Sequence, residues 1–97
     1  MSEEIKHKES DRRGMFYMED DKGITSELTY SILDNGIMLI DHTETRQELE
    51  GKGLATRLVK KSVEFAREKN LKIDPLCPFA EVQFDQNKDY ADVRADS

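Results

Sequence analysis

Between positions 27 and 32 apolar and polar residues alternate: Leu28, Tyr30 and Ile32 fall on one side, Glu27, Thr29 and Ser31 on the other. That period of two predicts a half-buried strand with one wet face. Upstream, Gly14 opens the apolar and aromatic run Met15-Phe16-Tyr17-Met18, which reads as another strand. Asp20-Asp21-Lys22-Gly23 separates the two with turn chemistry, its glycine available for a positive φ. Downstream, Asp34-Asn35-Gly36 lies between apolar runs, and Asn-Gly in that position predicts a hairpin. Ile37-Met38-Leu39-Ile40 follows as a third antiparallel strand, too continuous in apolar residues for a surface strand, so both of its faces are expected to be covered.

From Gly51 the period lengthens. Leu54, Ala55, Leu58, Val59, Ser62, Phe65 and Ala66 recur at helical spacing, while Lys52, Arg57, Lys60, Lys61, Glu64, Arg67 and Lys69 take the opposite face. This predicts a long amphipathic helix with Asn70 as its C-terminal cap and basic last turns that suit the dipole. Lys72-Ile73 reads as a short strand closed by Asp74-Pro75, and Pro78 suits the first turn of a shorter helix, from 78 to about 87. The remaining tail is polar apart from Tyr90, Ala91 and Val93. Residues 1–13 are mostly charged and form either a mobile arm or a first strand that orders late. The chain thus divides into a charged N-terminal arm, 1–13, and a single domain, 14–97. The domain is α/β (α+β): a mostly antiparallel sheet, one long helix after a glycine-bearing turn, and a short C-terminal helix.

Composition changes this picture little but excludes several functions. With 97 residues, 36% hydrophobic and 37% charged, and a mean hydropathy of −0.78, the chain can bury one modest core. A net charge of −6 and a pI near 4.9 argue against general nucleic-acid binding, which needs a basic face. No apolar run approaches the ~20 residues that span a bilayer, and residues 1–13 lack the apolar segment of a signal peptide. The single cysteine, Cys77, can form no internal disulfide. A cytoplasmic monomer without nucleic-acid or membrane partners is therefore expected. The charge is unevenly spread: residues 51–69 hold six basic and two acidic side chains, net +4, leaving −10 for the rest. A positive helix on a negative protein is either a solvated face or a means of concentrating a small polyanion.

Any chemistry belongs where the third strand feeds the long helix. A helix start leaves four amides unpaired and carries partial positive charge, and glycine there lets a phosphate approach without a Cβ in the way. Gly51-Lys52-Gly53 suits a pyrophosphate cradle with Lys52 as an added cation; the plainer alternative is that the glycines only ease a tight turn. A Walker loop is excluded because Lys52 is followed by Gly53 rather than Ser or Thr, and the dinucleotide fingerprint because its third glycine is missing.

Gly51-x-Gly53-Leu54-Ala55, after an apolar strand and opening an amphipathic helix, resembles the acetyl-coenzyme A pyrophosphate loop of the GNAT acyltransferase superfamily. The likeness extends to Leu71-Lys72-Ile73-Asp74-Pro75-Leu76-Cys77-Pro78-Phe79, to Tyr90-Ala91-Asp92-Val93, and to Leu28-Thr29-Tyr30 and Asp41-His42-Thr43, which together resemble the small single-domain GNAT-like N-acetyltransferases over residues 14–93. Two departures stand out. The usual Gln or Arg three places before the first loop glycine is Glu48 here, with Gln47 one place off. The two helices that build the acceptor wall in full-size members are replaced by a short turn between Met18 and Ile24.

The resemblance implies an acetyl-coenzyme A-dependent N-acyltransferase that works by direct attack of a small-molecule or peptide amine on the thioester. A non-catalytic coenzyme A or acyl-coenzyme A binding module is the alternative. Coenzyme A would lie in a V between residues 39–43 and the strand near Ile73. Pantetheine would pair with backbone at His42, Thr43 and Glu44, and pyrophosphate with amides of Glu50, Gly51, Lys52, Gly53, Leu54 and Ala55, aided by the Thr56 hydroxyl. His42 is a candidate base, because imidazole has the side-chain pKa nearest neutrality, ~6.5; Glu27 on the neighbouring strand is a second. Cys77 precedes Pro78 at a helix start, where the dipole favours thiolate, and would lie near the coenzyme A sulfur as acyl acceptor, acid or disulfide partner. Its plain alternative is a small buried hydrophobe. Tyr90 either contacts the ligand or anchors the tail. His7, in the charged arm, receives no role.

Overall fold

The computed structural model describes residues 4–95; the first three residues of the arm and the last two of the tail lie outside them. The chain runs β1 (Lys6–Ser10), β2 (Arg13–Asp20), β3 (Gly23–Ile32), β4 (Ile37–Thr45), a 3₁₀ turn (Gln47–Leu49), α1 (Leu54–Lys69), β5 (Lys72–Pro75), α2 (Pro78–Gln86) and a second 3₁₀ turn (Lys88–Val93). The sheet follows chain order, β1-β2-β3-β4-β5. The first four strands are antiparallel, and β5 joins β4 in parallel through the α1 crossover.

Alternation decides which side chains meet the helices. Phe16, Met18, Leu28, Tyr30, Met38, Ile40 and Ile73 point inward and are at most 1% exposed. They form one core with Leu58, Val59, Val63 and Ala66 of α1 and with Ala80 and Phe84 of α2. Burying each of the larger aliphatic side chains contributes about 1.5–3 kcal/mol. The expectation that β4 is covered on both faces is corrected. Met38 and Ile40 are buried, but Ile37 and Leu39, on the opposite face, remain partly exposed and outside the core.

The charged N-terminal segment contributes a strand, although β1 itself holds no apolar side chain. Aromatic contacts seat it. The His7 ring stacks on Phe16 at 4.2 Å and meets Phe65 edge-on at 5.2 Å, and His7 Nε2 lies 2.6 Å from the Tyr30 hydroxyl. Packing strips water from the His7 ring and lowers its pKa below the ordinary imidazole value. Tyr30 reaches β1 by crossing β2 at Gly14, where an added Cβ would stand 2.3 Å from the Tyr30 ring. The tail is also structured. Val93 is buried, Arg67 of α1 grips Asp92 through two hydrogen bonds of 3.0 and 2.9 Å, and the Ala95 amide donates to Ile73.

Candidate functional site

The site begins where β4 and β5 part. Their pairing ends at Ile40↔Pro75, and the amides of Leu76 and Cys77 then both donate to the Ile40 carbonyl, at 3.0 and 3.1 Å, turning the chain into α2. Residues 42–45 of β4 stay paired with β3, while their other edge has no strand partner among the described residues. β5 ends at Pro75, paired over its whole length, so the free edge of β4 runs on past it towards the start of α2. At this point Cys77 Sγ lies 3.1 Å from Thr43 Oγ1.

A bulge re-aims β4 just there. Thr29 opposes His42 and Tyr30 opposes Ile40, leaving Asp41 as the extra residue. The Asp41 carboxylate accepts the Thr29 hydroxyl at 2.6 Å and the Ser31 hydroxyl at 3.4 Å. His42 Nε2 lies 3.2 Å from Glu44 Oε1 and 3.9 Å from Glu27 Oε2. Both candidate bases thus stand together on the outer face of the sheet, one residue from the cleft-facing Thr43.

At the end of β4, Arg46 fixes the exit. Its guanidinium donates to both Asp20 carboxylate oxygens at 3.0 and 3.1 Å, and to the Gly23 and Ile24 carbonyls. The hydrogen bond from Arg46 holds the Asp20 carboxyl below the usual range. The chain then makes its 3₁₀ turn and passes through Gly51 at φ 87° and Gly53 at φ 79°, a left-handed conformation that glycine adopts without a Cβ penalty. Gly53 is the N-cap of α1 and supplies no side chain to its free amides.

These pieces enclose a cleft of about 1060 Å³, running from the unpaired edge of β4 over the glycine turn to the first turn of α1, with Phe79 of α2 on its far side. Of the positions singled out in the sequence, Thr43, Glu44, Glu50, Gly51, Gly53, Leu54, Ala55 and Thr56 line it. Cβ atoms placed on Gly51 or Gly53 would meet no protein atom within 4 Å, so the space over the turn belongs to the cleft. Cys77 borders this space through Thr43 and is 8% exposed. Burial pushes its thiol pKa up, but the Thr43 hydroxyl and the amides of Ala80, Phe79 and Thr43 outweigh burial and bring it below the ordinary value.

His42, Glu27 and Cys77 are not among the lining residues, and neither are Lys52 and Tyr90. Lys52 is exposed beside the turn and does not line the cleft. Tyr90 is away from it: its ring packs against Phe84 at 5.4 Å and anchors the tail to α2. Thr45, Arg46, Gln47, Leu49 and Phe79 also line the cleft, though none was given a site role from the sequence. Gln47, one place from the family's usual loop position, and Phe79, after the helix-opening Pro78, carried a local signal.

A sequence profile of the GCN5-related N-acetyl-transferase family matches residues 15–93. The solution structure of a GCN5-like candidate N-acetyltransferase from Staphylococcus aureus is 38% identical, with a TM-score of 0.76 over 100% of this chain and 93% of that one. The crystal structure of a ribosomal-protein-alanine N-acetyltransferase from Brucella melitensis biovar Abortus 2308 shares the fold, with a TM-score of 0.64 at 18% identity over 91% of this chain and 65% of that one. No curated protein matches the sequence. Among the described residues no helix is long and apolar enough to cross a membrane. A family match over most of the chain and a full-length likeness at 38% identity place this protein in the GCN5-related N-acetyltransferase family of acyl-transferring enzymes.

Proposed function

We propose that the protein is an N-acetyltransferase that takes acetyl-coenzyme A as donor and acts in the cytoplasm on an exposed amine of a small molecule or peptide. The observation that carries this reading is the continuous cleft from the unpaired β4 edge to the uncapped start of α1, with glycines where a phosphate would approach. Acetyl-coenzyme A, when bound, supplies an activated thioester. The free amides around Gly53, Leu54 and Ala55 would hold its pyrophosphate, and the backbone at His42, Thr43 and Glu44 would hold its pantetheine. With His42 Nε2–H donated to Glu44 at 3.2 Å and Glu27 3.9 Å away, the other ring nitrogen, Nδ1, would carry the lone pair that accepts the proton of the attacking amine. Cys77 Sγ, hydrogen-bonded to Thr43, would hold or release a proton where β4 passes the end of β5.

One feature favours a binding module instead. β2 ends at Asp20 and β3 begins at Gly23, so no segment between them covers the outer face where an acceptor wall would stand. Turnover separates the two readings. The chain incubated with acetyl-coenzyme A and a panel of primary amines should release free coenzyme A faster than the same mixture without acceptor, and His42→Ala should abolish the difference. Saturable binding of coenzyme A with no acceptor-dependent release across the panel would leave the module.

A further inference from the structure

The outer face of the sheet carries a group of side chains that ion pairing does not settle. Glu27 on β3 stands directly opposite Glu44 on β4, and His42 lies two residues before Glu44 on the same face. Like charges directly opposite across a strand pair repel. Some acidic side chains elsewhere meet Lys or Arg: Glu19 meets Lys6, Asp20 meets Arg46, Asp85 meets Arg94 and Asp92 meets Arg67. Asp41 is occupied by two hydroxyls. Among the described residues, the ion pairs of Glu27 and Glu44 are with His42 alone. One ligand-capable atom from each of the three lies within 4.8 Å of the other two.

We propose that Glu27, His42 and Glu44 form a site for a divalent cation of the zinc type, with His42 Nε2 and one oxygen of each carboxylate as ligands and water completing the shell. Bonds of ~2.0–2.1 Å at tetrahedral angles set neighbouring ligand atoms ~3.3 Å apart. Nε2 and Glu44 Oε1, at 3.2 Å, already stand at that spacing. Glu27 Oε2, at 3.9 Å from Nε2, has to move in by roughly 0.6 Å, a small torsional adjustment for a surface-facing side chain. One imidazole with two carboxylates suits zinc, nickel or cobalt rather than calcium or magnesium, which favour oxygen throughout. The geometry stands without the acyl-transfer reading. It bears on that reading in one respect: a cation bound at Nε2 leaves the ring proton on Nδ1, the nitrogen that His42 would need as a base.

The test uses the full chain, freed of metal by chelation and titrated with Zn²⁺ in a calorimeter and with Co²⁺ in a spectrophotometer. One Zn²⁺ per chain is expected, and Co²⁺ should give visible bands without a thiolate charge-transfer band. His42→Ala and Glu44→Gln should each weaken Zn²⁺ binding at least tenfold, while Cys77→Ser should leave it unchanged. Metal-free Glu44→Gln, relieved of repulsion from Glu27, should melt no lower than the parent, which separates loss of a ligand from loss of fold. Absence of saturable binding, undiminished affinity in His42→Ala, or loss of affinity in Cys77→Ser would each overturn the proposal.

Discussion

The two ends of α1 are built in opposite ways. At its C-terminus, Asn70 adopts the left-handed conformation, its amide bonding back to Ala66 and Arg67, and Leu71 adds a further bond to Ala66 at 2.8 Å. Arg67 there also grips Asp92 and the Asp89 carbonyl. At its N-terminus the cap is a glycine, no side chain bonds the first amides, and no acidic residue stands in the first turn. A helix normally satisfies its first amides with a Ser, Thr, Asp or Asn cap worth about 1 kcal/mol. Here that contribution is absent at the end facing the cleft, and the anchoring is concentrated at the other. On the acyl-transfer reading, stability and ligand binding fall to different ends of one element, and each can be perturbed separately.

The largest effect is expected from Gly53→Val. A side chain at this position meets no protein atom but enters the space over the turn, so coenzyme A affinity should fall by more than tenfold in calorimetry. Forcing φ 79° on an L-residue costs about 1–2 kcal/mol, and a melting curve on the same sample registers that cost separately. A folded Gly53→Val protein with parental affinity would remove the phosphate role of this end. Asn70→Ala should do the reverse, losing about 1 kcal/mol in denaturant unfolding with affinity unchanged, whereas Asn70→Gly should retain stability.

Salt sharpens the contrast further. Exposed Lys52 and Lys60 lie towards the cleft end, and raising ionic strength should weaken coenzyme A binding several-fold through screening. A salt-independent dissociation constant would mean that the basic face is merely solvated. The smallest effects are in pH. His7 packs under the far half of α1 with a lowered pKa, so the unfolded state takes up its proton first as acid is added. Stability should be fully present above about pH 6.5 and decline below it, and His7→Phe should flatten that limb. Cys77, also lowered, contributes stability that is complete above the unfolded thiol pKa near ~8.5 and lost as pH falls through its folded value. Cys77→Ser should remove the alkaline dependence only.

How much of this was legible in the chain depends on how local each cause is. The alternation at 27–32, Asn35-Gly36 and the helical spacing after Gly51 act within a few residues, and their elements stand where the pattern places them. The glycine turn was legible for the same reason, since a positive φ and an exposed amide end need no distant partner. β1 gave no local apolar signal, because what holds it is a histidine lying on Phe16 of the next strand. Arg46 was silent because its partners are Asp20, Gly23 and Ile24 across the sheet. Tyr90 stayed open between ligand contact and tail anchor because only the packed tail shows its ring against Phe84.

The passage of Tyr30 over Gly14 also bears on solubility. β1 is the outer strand of the sheet, and its charged residues keep that rim unattractive to other chains. Were β1 to detach, the rim would become β2, with the uncharged run Met15-Phe16-Tyr17-Met18 and its unpaired amides turned towards solvent, a composition prone to intermolecular β-pairing. The hydroxyl and ring that retain β1 reach it only because position 14 has no side chain. One missing methyl group in the second strand thus guards the whole molecule against aggregation, and Gly14→Ala should be found first in the pellet rather than in any assay of the cleft.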